Sequence, residues 1–268
     1  MAHVFGTDFT FNGKSLSDFG NYILCSFDEK NTTEDTSLNR TISKSSITQM
    51  KVRPNHFGIT YDDVLTFNMG IVKATGEALS FREYCILNAW LTSPGSPRSL
   101  TISDVESDYY KELEYFGMVT AITNFQPYDS KTGIDFTFTC DAPYPYSKEQ
   151  IYDFTSEQST SIAIENTSDE WEEEYYPILE ITSLAAQTVT IRNSSHPDET
   201  LMSLEMEKDQ TLTIDNELCI IKDSRNLFCA DRDFNFKFIS LIPGENTISI
   251  TGKCEGRFKC RFVRKAGV

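Results

Sequence analysis

The stretch from Phe136 to Tyr146, FTFTCDAPYPY, constrains the organisation of this chain more than any other. The alternation of apolar and polar residues, which is typical of a half-buried strand, stops there at Pro143 and Pro145. Proline cannot donate a hydrogen bond to a neighbouring strand and restricts the residue before it to extended geometry, so the strand must end. Strands and one helix precede this point, whereas short strands alone follow it. The sequence therefore predicts two domains, residues 1–146 and residues 147–268.

The length of 268 residues allows a hydrophobic core in each domain. No apolar run approaches the roughly 20 residues that a membrane-spanning helix needs. The first residues also lack the basic and apolar regions of a secretory signal. We therefore expect a protein that is made in the cytoplasm and binds no membrane.

The formal net charge of −16 is spread over both halves of the chain. An acidic surface repels the phosphate backbone of nucleic acids and removes the counterion release that drives their binding. The charge therefore argues against any stable nucleic-acid binding.

Seven cysteines are present, with no Cys-x-x-Cys pair and no histidine at ligand spacing. This pattern argues against a disulfide framework and against a zinc site. Free cysteine is among the most buried residue types, so the sequence predicts buried thiols. The residues are Cys25, Cys85, Cys140, Cys219, Cys229, Cys254 and Cys260.

The three histidines, His3, His56 and His196, stand apart and adjoin no nucleophile or metal motif. The run from Asp169 to Glu174 surrounds Trp171 with carboxylates, which could bind calcium or assist the stacking of a sugar. Calcium loops space their ligands and contain a glycine, and this run does neither, so an acidic surface loop is the alternative. We expect no catalytic residue, no metal site and no cofactor, and Trp171 remains the one candidate ligand residue.

The first half opens with a strand that leads into Asn12-Gly13, a strong signal for a hairpin turn. Residues 28–52 are then polar, which is unusual for a loop of that length inside a compact domain. This segment is either an extended arm or projecting hairpin, or a surface loop. Its apolar residues, which would contact another subunit if it is an arm, are Leu38, Ile42, Ile47 and Met50.

One helix is predicted after Ser80, because Ser80 and Glu83 have the spacing of a capping box. Pro94 and Gly95 mark its end. The positions expected on its buried face are Phe81, Tyr84, Cys85, Asn88 and Leu91, with Leu87 and Trp90 beside them.

The second half shows short strand patterns at regular intervals, which predict a β-sandwich or barrel without a helix. The predicted strands are Ser161 to Glu165, Ile178 to Thr182, Thr188 to Arg192, Leu201 to Met206, Thr211 to Ile214, Cys219 to Lys222, Asn235 to Leu241, Thr247 to Thr251 and Arg257 to Val263.

The last segment is locally basic, since six cationic residues accompany only Glu255. One interpretation is an exposed strand face whose charges oppose aggregation. The other is electrostatic complementarity to an acidic neighbour, including another copy of the chain. The cationic residues are Lys253, Arg257, Lys259, Arg261, Arg264 and Lys265.

Four segments in the same order and at similar spacing resemble the distal tail proteins of long-tailed bacteriophages. FTFNGKSLSDFGNYIL resembles the opening of that family, and FREYCILNAWL followed by SLTISD resembles its single helix and next strand. GIDFTFTCDAPYPY resembles the end of its first domain, and LIPGENTISITG resembles the penultimate hairpin of its second. Together the segments span nearly the whole chain.

The resemblance implies a mainly β fold in which an N-terminal β-sandwich carries one α-helix and a projecting hairpin or arm. It also implies a C-terminal galectin-like β-sandwich, and a hexameric ring of N-terminal domains around a channel. Residues 28–52 would be the arm that contacts the next subunit. No sugar-binding motif of galectins is carried over, because Trp171 lacks the accompanying arginine.

The function implied is that of a structural hub in the tail tip or baseplate of a phage or prophage, joining the tail tube to the host-recognition apparatus. The partners implied are the major tail (tube) protein, the tape-measure protein and a tail-associated lysin or a tail fibre or receptor-binding protein. The protein would be assembled in the bacterial host cytoplasm and reside in the virion. An acidic channel wall is expected, since basic walls would retain DNA. The alternative is a carbohydrate-binding host-recognition protein that acts through its C-terminal domain.

Overall fold

The computed structural model describes residues 2–3, 6–25, 40–44, 56–61, 63–103, 112–126, 131–198, 200–225 and 230–266. Over these residues it contains twenty β-strands and two α-helices, so the mainly β fold that the sequence predicts is confirmed. The chain divides into two compact units. The first consists of residues 1–146 and 265–268, and the second of residues 147–264.

The first unit contains ten strands, one α-helix and one 3-10 turn in its described part, and an eleventh strand begins at its last residue. The strands are β1 (Ala2–His3), β2 (Asp8–Phe11), β3 (Lys14–Ser15), β4 (Tyr22–Cys25), β5 (Arg40–Lys44), β6 (His56–Tyr61), β7 (Thr66–Lys73), β8 (Arg98–Ser103), β9 (Leu113–Phe125), β10 (Gly133–Cys140) and β11 (Tyr146–Ser147). The 3-10 turn spans Leu16–Phe19, and the helix α1 spans Phe81–Thr92.

The main sheet of the first unit has nine strands in the described part of the chain, in the order β1-β7-β10-β9-β8-β2-β3, with β4 beside β7 and β11 beside β9. The sheet has two wings, one that contains β7 and β10 and one that contains β8 and β2, and these wings pack face to face. The rings of Phe9 and Phe136 lie 5.7 Å apart, and those of Phe11 and Phe138 lie 5.8 Å apart, although β2 and β10 are not neighbours in the sheet. The aromatic core therefore sits between the wings, as in a β-sandwich.

The turn at Asn12-Gly13 is confirmed as the connection between β2 and β3. Asn12 has φ = 50° and Gly13 has φ = 75°, a combination that suits the right-handed twist of a hairpin and that asparagine and glycine tolerate best. This turn fixes the register of Phe9 and Phe11, so that both rings enter the core.

The capping box at the start of α1 is also confirmed. The Glu83 backbone N–H donates to Ser80 Oγ at 3.3 Å, and the Ser80 backbone N–H donates to Glu83 Oε2 at 2.7 Å. Lys73 Nζ lies 2.9 Å from the same carboxylate oxygen. The hydrogen bonds from Ser80 and from Lys73 lower the pKa of Glu83 to about 2.

Because the pKa of Glu83 is lowered, the stability of the first unit depends on pH in the acidic range. The carboxylate stabilises the folded state fully above its unfolded pKa near 4.5, and this contribution is lost as the pH falls through the folded pKa of about 2. We expect the Glu83→Gln variant to show a smaller decrease of melting temperature between these pH values than the wild type. Melting curves followed by circular dichroism test this, and parallel decreases in the two proteins would contradict it.

The buried face of α1 differs from the sequence prediction. Leu87, Trp90 and Leu91 are buried, whereas Phe81 is 76% exposed and Cys85 is exposed. Apolar residues occur on both sides of this helix, so periodicity alone could not identify the side that faces the sheet. The side that contains Trp90 faces the sheet, because the Trp90 ring packs against Phe9, Phe11 and Phe19.

The second unit is a β-sandwich of two antiparallel sheets. In the part of it that the structure describes, one sheet has five strands in the order β12-β20-β14-β17-β18, and the other has four in the order β13-β19-β15-β16. The galectin-like character that the resemblance implies stays a prediction. The strands are β12 (Gln150–Ser156), β13 (Ser159–Asn166), β14 (Ile178–Ser183), β15 (Gln187–Asn193), β16 (Leu201–Met206), β17 (Thr211–Asp215), β18 (Ile220–Asp223), β19 (Gly244–Thr251) and β20 (Cys254–Cys260).

Two predictions for the second half are wrong. A one-turn helix, α2, spans Ala230–Asp233, and the predicted strand Asn235 to Leu241 forms no ladder. The backbone of this segment binds buried asparagine side chains instead. Asn216 Oδ1 accepts a hydrogen bond from the Ile239 N–H at 2.9 Å, and Asn193 Nδ2 donates to the Ser240 carbonyl oxygen at 2.8 Å.

The asparagine cluster is completed by Asn166, whose amide donates to the Leu241 carbonyl oxygen at 3.2 Å, and by Asn246. Asn246 Nδ2 donates to the carbonyl oxygens of Ile242 (2.8 Å) and Gly244 (2.9 Å), while its Oδ1 accepts from the Ile242 N–H (2.9 Å) and from Asn193 Nδ2 (2.8 Å). These bonds satisfy backbone polar groups around the buried residues Ile239 and Leu241, which lie outside the named strands.

The prediction of buried thiols holds for three of the cysteines in the described residues. Cys140, Cys254 and Cys260 are buried, and burial raises the pKa of Cys254 to about 11 and that of Cys260 to about 12. The prediction is wrong for Cys85 and Cys219, which are exposed. Both lie at positions whose neighbours in sequence are apolar, although the chain turns them outward.

Candidate assembly surfaces

The hairpin of β5 and β6 forms a two-stranded sheet apart from the other described sheets. Its register places Arg40 opposite Tyr61, Ile42 opposite Ile59 and Lys44 opposite His56. Of the four predicted subunit-contact residues, Ile42 lies on β5. The other three, Leu38, Ile47 and Met50, lie outside the described residues.

The base of this hairpin is held by an aromatic contact. The Tyr61 ring meets the Tyr144 ring edge-on, with centroids 5.7 Å apart, and Tyr144 contacts Tyr146 at the same distance. The tyrosines of the proline-containing segment thus anchor the end of the hairpin. Two strands alone are marginally stable in water, so this contact supports the described end of the hairpin.

The outer face of α1 is a second candidate surface. Phe81, Cys85, Ile86 and Ala89 are all exposed and fall on one side of the helix, where the exposed Arg82 lies among them. Apolar residues that are grouped at the surface, rather than scattered singly, are typical of protein contacts. The periodicity placed Phe81 and Cys85 on one face but assigned that face to the core, because the helix also has a second, buried apolar side.

A third surface is the outer face of the main sheet, across β4, β7, β10 and the part of β9 that pairs with β10. Threonine hydroxyls connect these strands: Thr137 Oγ1 donates to Asn68 Oδ1, and the hydroxyls of Thr120 and Thr139 are hydrogen-bonded, both at 2.8 Å. Among these outward positions of the described strands, Asp135 is the one formal charge. The positions are Ile23, Cys25, Thr66, Asn68, Gly70, Val72, Asp135, Thr137, Thr139, Met118, Thr120, Ala121, Thr123 and Phe125. Depletion of charge is typical of the centre of protein interfaces.

Trp171, the candidate ligand residue, is 78% exposed. Further along the same acidic run, Glu174 Oε1 lies 2.8 Å from Nε2 of the buried His196, and this hydrogen bond lowers the pKa of Glu174. His196 Nδ1 accepts a hydrogen bond from the Asp198 N–H at 3.1 Å. Both ring nitrogens of His196 therefore serve to hold loops of the second unit together.

Two of the clefts in the described part of the second unit are not lined by Trp171. One, of about 460 Å³, is lined by Glu205, Gln210 and Arg232 among others. The other, of about 300 Å³, lies on the five-stranded sheet around Gly256. Within the described residues, no group of three His, Cys, Asp or Glu side chains could hold a metal ion. His3 and His56 lie on strands β1 and β6.

The basic C-terminal segment is neutralised within the chain. β20 is an inner strand between β12 and β14, and Lys259 Nζ lies 2.5 Å from Glu180 Oε1, while Arg257 Nε lies 3.4 Å from Asp153 Oδ1. Lys253 pairs with Glu157, Arg261 with Glu149 and Arg264 with Asp169. These pairs support the interpretation as a charged, exposed strand face and leave little positive charge for an acidic neighbour.

Within the described residues, neither α-helix has the length and apolar character that a membrane-spanning segment needs.

Comparison with known proteins identifies the chain along nearly its whole length. Residues 5–142 match the family model of a phage tail protein N-terminal domain, and residues 144–260 match that of a phage tail C-terminal domain. The chain belongs to this family of phage tail proteins. No curated protein matches it.

Two solved structures share the fold of this phage tail protein. The Dit protein of phage SPP1, described as a paradigm of the hub adsorption apparatus in phages that infect Gram-positive bacteria, is 13% identical with a TM-score of 0.60, and the match covers 95% of this chain and 98% of that one. A chain of the phage P2 baseplate in its activated conformation is 10% identical with a TM-score of 0.54, and the match covers 98% and 99%. The resemblance to distal tail proteins that the sequence indicates is confirmed.

Proposed function

We propose that this phage tail protein is the structural hub of a tail tip or baseplate, in which six copies form a ring that joins the tail tube to the host-recognition apparatus. The observation that carries the proposal is the extent of the match to the SPP1 Dit hub. The shared fold covers 95% of this chain and 98% of that one, so neither chain has a large domain that the other lacks.

The surfaces described above agree with a role in assembly. A ring is built from heterologous contacts, in which one patch of a subunit meets a different patch of the next. The first unit offers three such patches, namely the β5–β6 hairpin, the outer face of α1 and the charge-depleted sheet face. The partners proposed are the tube protein, the tape-measure protein and a tail-associated lysin or receptor-binding protein. The proposed role of the protein is structural rather than enzymatic, and its proposed location is the tail tip of the virion.

The ring is tested by the mass and the image of the purified protein. Six copies of the 30.5 kDa chain give an assembly of about 183 kDa by light scattering. Electron micrographs should show particles with a central hole. Since a tail component can require its neighbour as a template, the measurement is repeated with the tube protein. Particles without a hole, or monomers under both conditions, would contradict the proposal.

A further inference from the structure

Strand β13 is an exposed edge of the four-stranded sheet in the second unit. It spans Ser159–Asn166 and pairs with β19 alone among the described strands, over eight residues without a shift of register. In an antiparallel pair, alternate residues turn their backbone groups toward the partner, so the remaining residues of β13 turn theirs away from the sheet. No backbone group in the described part of the chain hydrogen-bonds to β13 from that side. About half of the backbone polar groups of β13 are therefore available to a further strand.

The other three edges of these two sheets are protected against the addition of a strand. β16 is covered by the segment after α2, whose Asn235 hydrogen-bonds to Leu201 and Ser203. β18 has four residues, two of them charged, and β12 carries Asp153 at its centre. Cover, short length and charge are means by which sheets avoid pairing at their edges. β13 has none of these features over its first six residues, which are uncharged and include no proline.

The side chains of β13 suit an added strand on both faces of the sheet. On the inner face, Ile162 is half-buried and packs against the core of the second unit, as does Tyr152 of β12. Because a two-residue turn joins β12 to β13, both side chains lie on the same side of the sandwich. On the outer face, the first three exposed positions carry the short side chains of Ser159, Ser161 and Ala163. An added strand would therefore cover apolar surface inside and meet no bulky side chain outside.

One pair of outward residues is unfavourable in the single chain. Glu165 lies directly opposite Glu245 of β19, and both residues are exposed. Like charges that face each other destabilise a sheet, so a cation beside Glu165 would be favourable. β13 contains no lysine or arginine, so pairing with the β13 strand of a second copy would not supply this cation. Such a pairing would also be isologous, whereas a ring is built from heterologous contacts.

We propose that β13 binds an extended strand of another tail protein, which becomes the fifth strand of this sheet. That strand carries apolar side chains on the face of Ile162, small or polar side chains on the outer face, and a lysine or arginine beside Glu165. The inference rests on the proposed function, which supplies the neighbouring tail proteins. It adds the surface to which such a neighbour attaches and the chemistry of the segment that attaches there.

Hydrogen exchange tests this proposal, because a backbone amide that is paired in a sheet exchanges more slowly than one that faces water. Mass spectrometry compares residues 159–166 in the isolated protein and in purified tails that contain it. We expect the outward half of these amides to exchange at least about tenfold more slowly in the tails. Strand β18, the short and charged edge, should exchange equally in both samples and is the internal control.

Two variants with the same added charge separate strand pairing from general shielding by the assembly. Ala163→Lys places a lysine on the edge strand, and Thr247→Lys places one directly opposite, on the inner strand β19. A lysine on an edge strand discourages pairing, and this lysine would also repel the cation of the incoming strand. Circular dichroism verifies that both variants are folded. In tails, Ala163→Lys should return residues 159–166 to the exchange rate of the isolated protein, whereas Thr247→Lys should keep the wild-type protection.

Equal exchange of β13 in the isolated wild-type protein and in tails overturns this inference and leaves the ring intact. Protection that persists in folded Ala163→Lys, or that extends equally to β18, also overturns it and indicates general shielding. Protection that increases with the concentration of the isolated protein assigns the edge to a second copy and overturns it as well. Absence of the wild-type protein from tails, or particles without a central hole, instead overturns the proposed function and the inference with it.

Discussion

The Trp90→Ala variant should unfold with a free energy about 3–5 kcal/mol lower than the wild type in the first unit, the usual cost of removing a buried large aromatic side chain. The Trp90 ring stacks on Phe9 at 5.2 Å and packs against Phe19 at 4.5 Å. Its Nε1–H donates to the Phe11 carbonyl oxygen at 3.3 Å. Alanine would remove these contacts from the centre of the helix–sheet packing.

The control for Trp90 is Phe81→Ala on the same helix. Because the Phe81 side chain is 76% exposed, this change should alter the free energy of unfolding by less than about 0.5 kcal/mol. Urea titrations followed by circular dichroism measure both variants, and the transition of each unit is fitted separately since two units need not unfold together. Equal midpoints for the two variants would mean that α1 contributes little to the core.

The second large effect is expected for Asn246→Ala in the second unit. Asn246 is fully buried and forms four hydrogen bonds with Ile242, Gly244 and Asn193. Each buried partner that is left unsatisfied costs about 1–3 kcal/mol, so we expect a loss of about 3 kcal/mol or more.

Asn235→Ala is the matched control, because the Asn235 amide also binds backbone, at Leu201 and Ser203, but is exposed to water. Water can replace its hydrogen bonds, so its loss should be near 1 kcal/mol. The same urea titration compares the two, and an equal loss in both variants would show that burial of the asparagine cluster is not what stabilises the second unit.

Local pattern predicted those elements whose partners are close in sequence. The turn at Asn12-Gly13 and the capping box of α1 follow from the conformational needs of individual backbone groups. The segment from Asn235 to Leu241 has the alternation of a strand, and its hydrogen bonds nevertheless go to asparagines up to 75 positions away in sequence. Patterns among neighbouring residues therefore cannot predict these hydrogen bonds.

The candidate assembly surfaces were predictable only in part. The polar composition of residues 28–52 predicted either an arm or a surface loop, and of this segment the structure describes residues 40–44. The exposed side of α1 depends on which face Trp90 brings against the sheet. The neutralisation of β20 depends on acidic residues of β12 and β14 that its sequence neighbourhood does not show. Any proteins that bind these surfaces are separate molecules, so the sequence of this chain constrains the charge of their contact surfaces but not their identity.

The path of the chain into and out of the second unit has a practical consequence. The Ser147 N–H donates to the Phe262 carbonyl oxygen at 2.7 Å, and the Phe262 N–H donates to Ser147 Oγ at 3.0 Å, so entry and exit lie side by side. Residues 265–268 then group with the first unit. The second unit therefore begins and ends at neighbouring positions, and we expect that a short linker from residue 146 to residue 265 could replace it without interrupting the first unit.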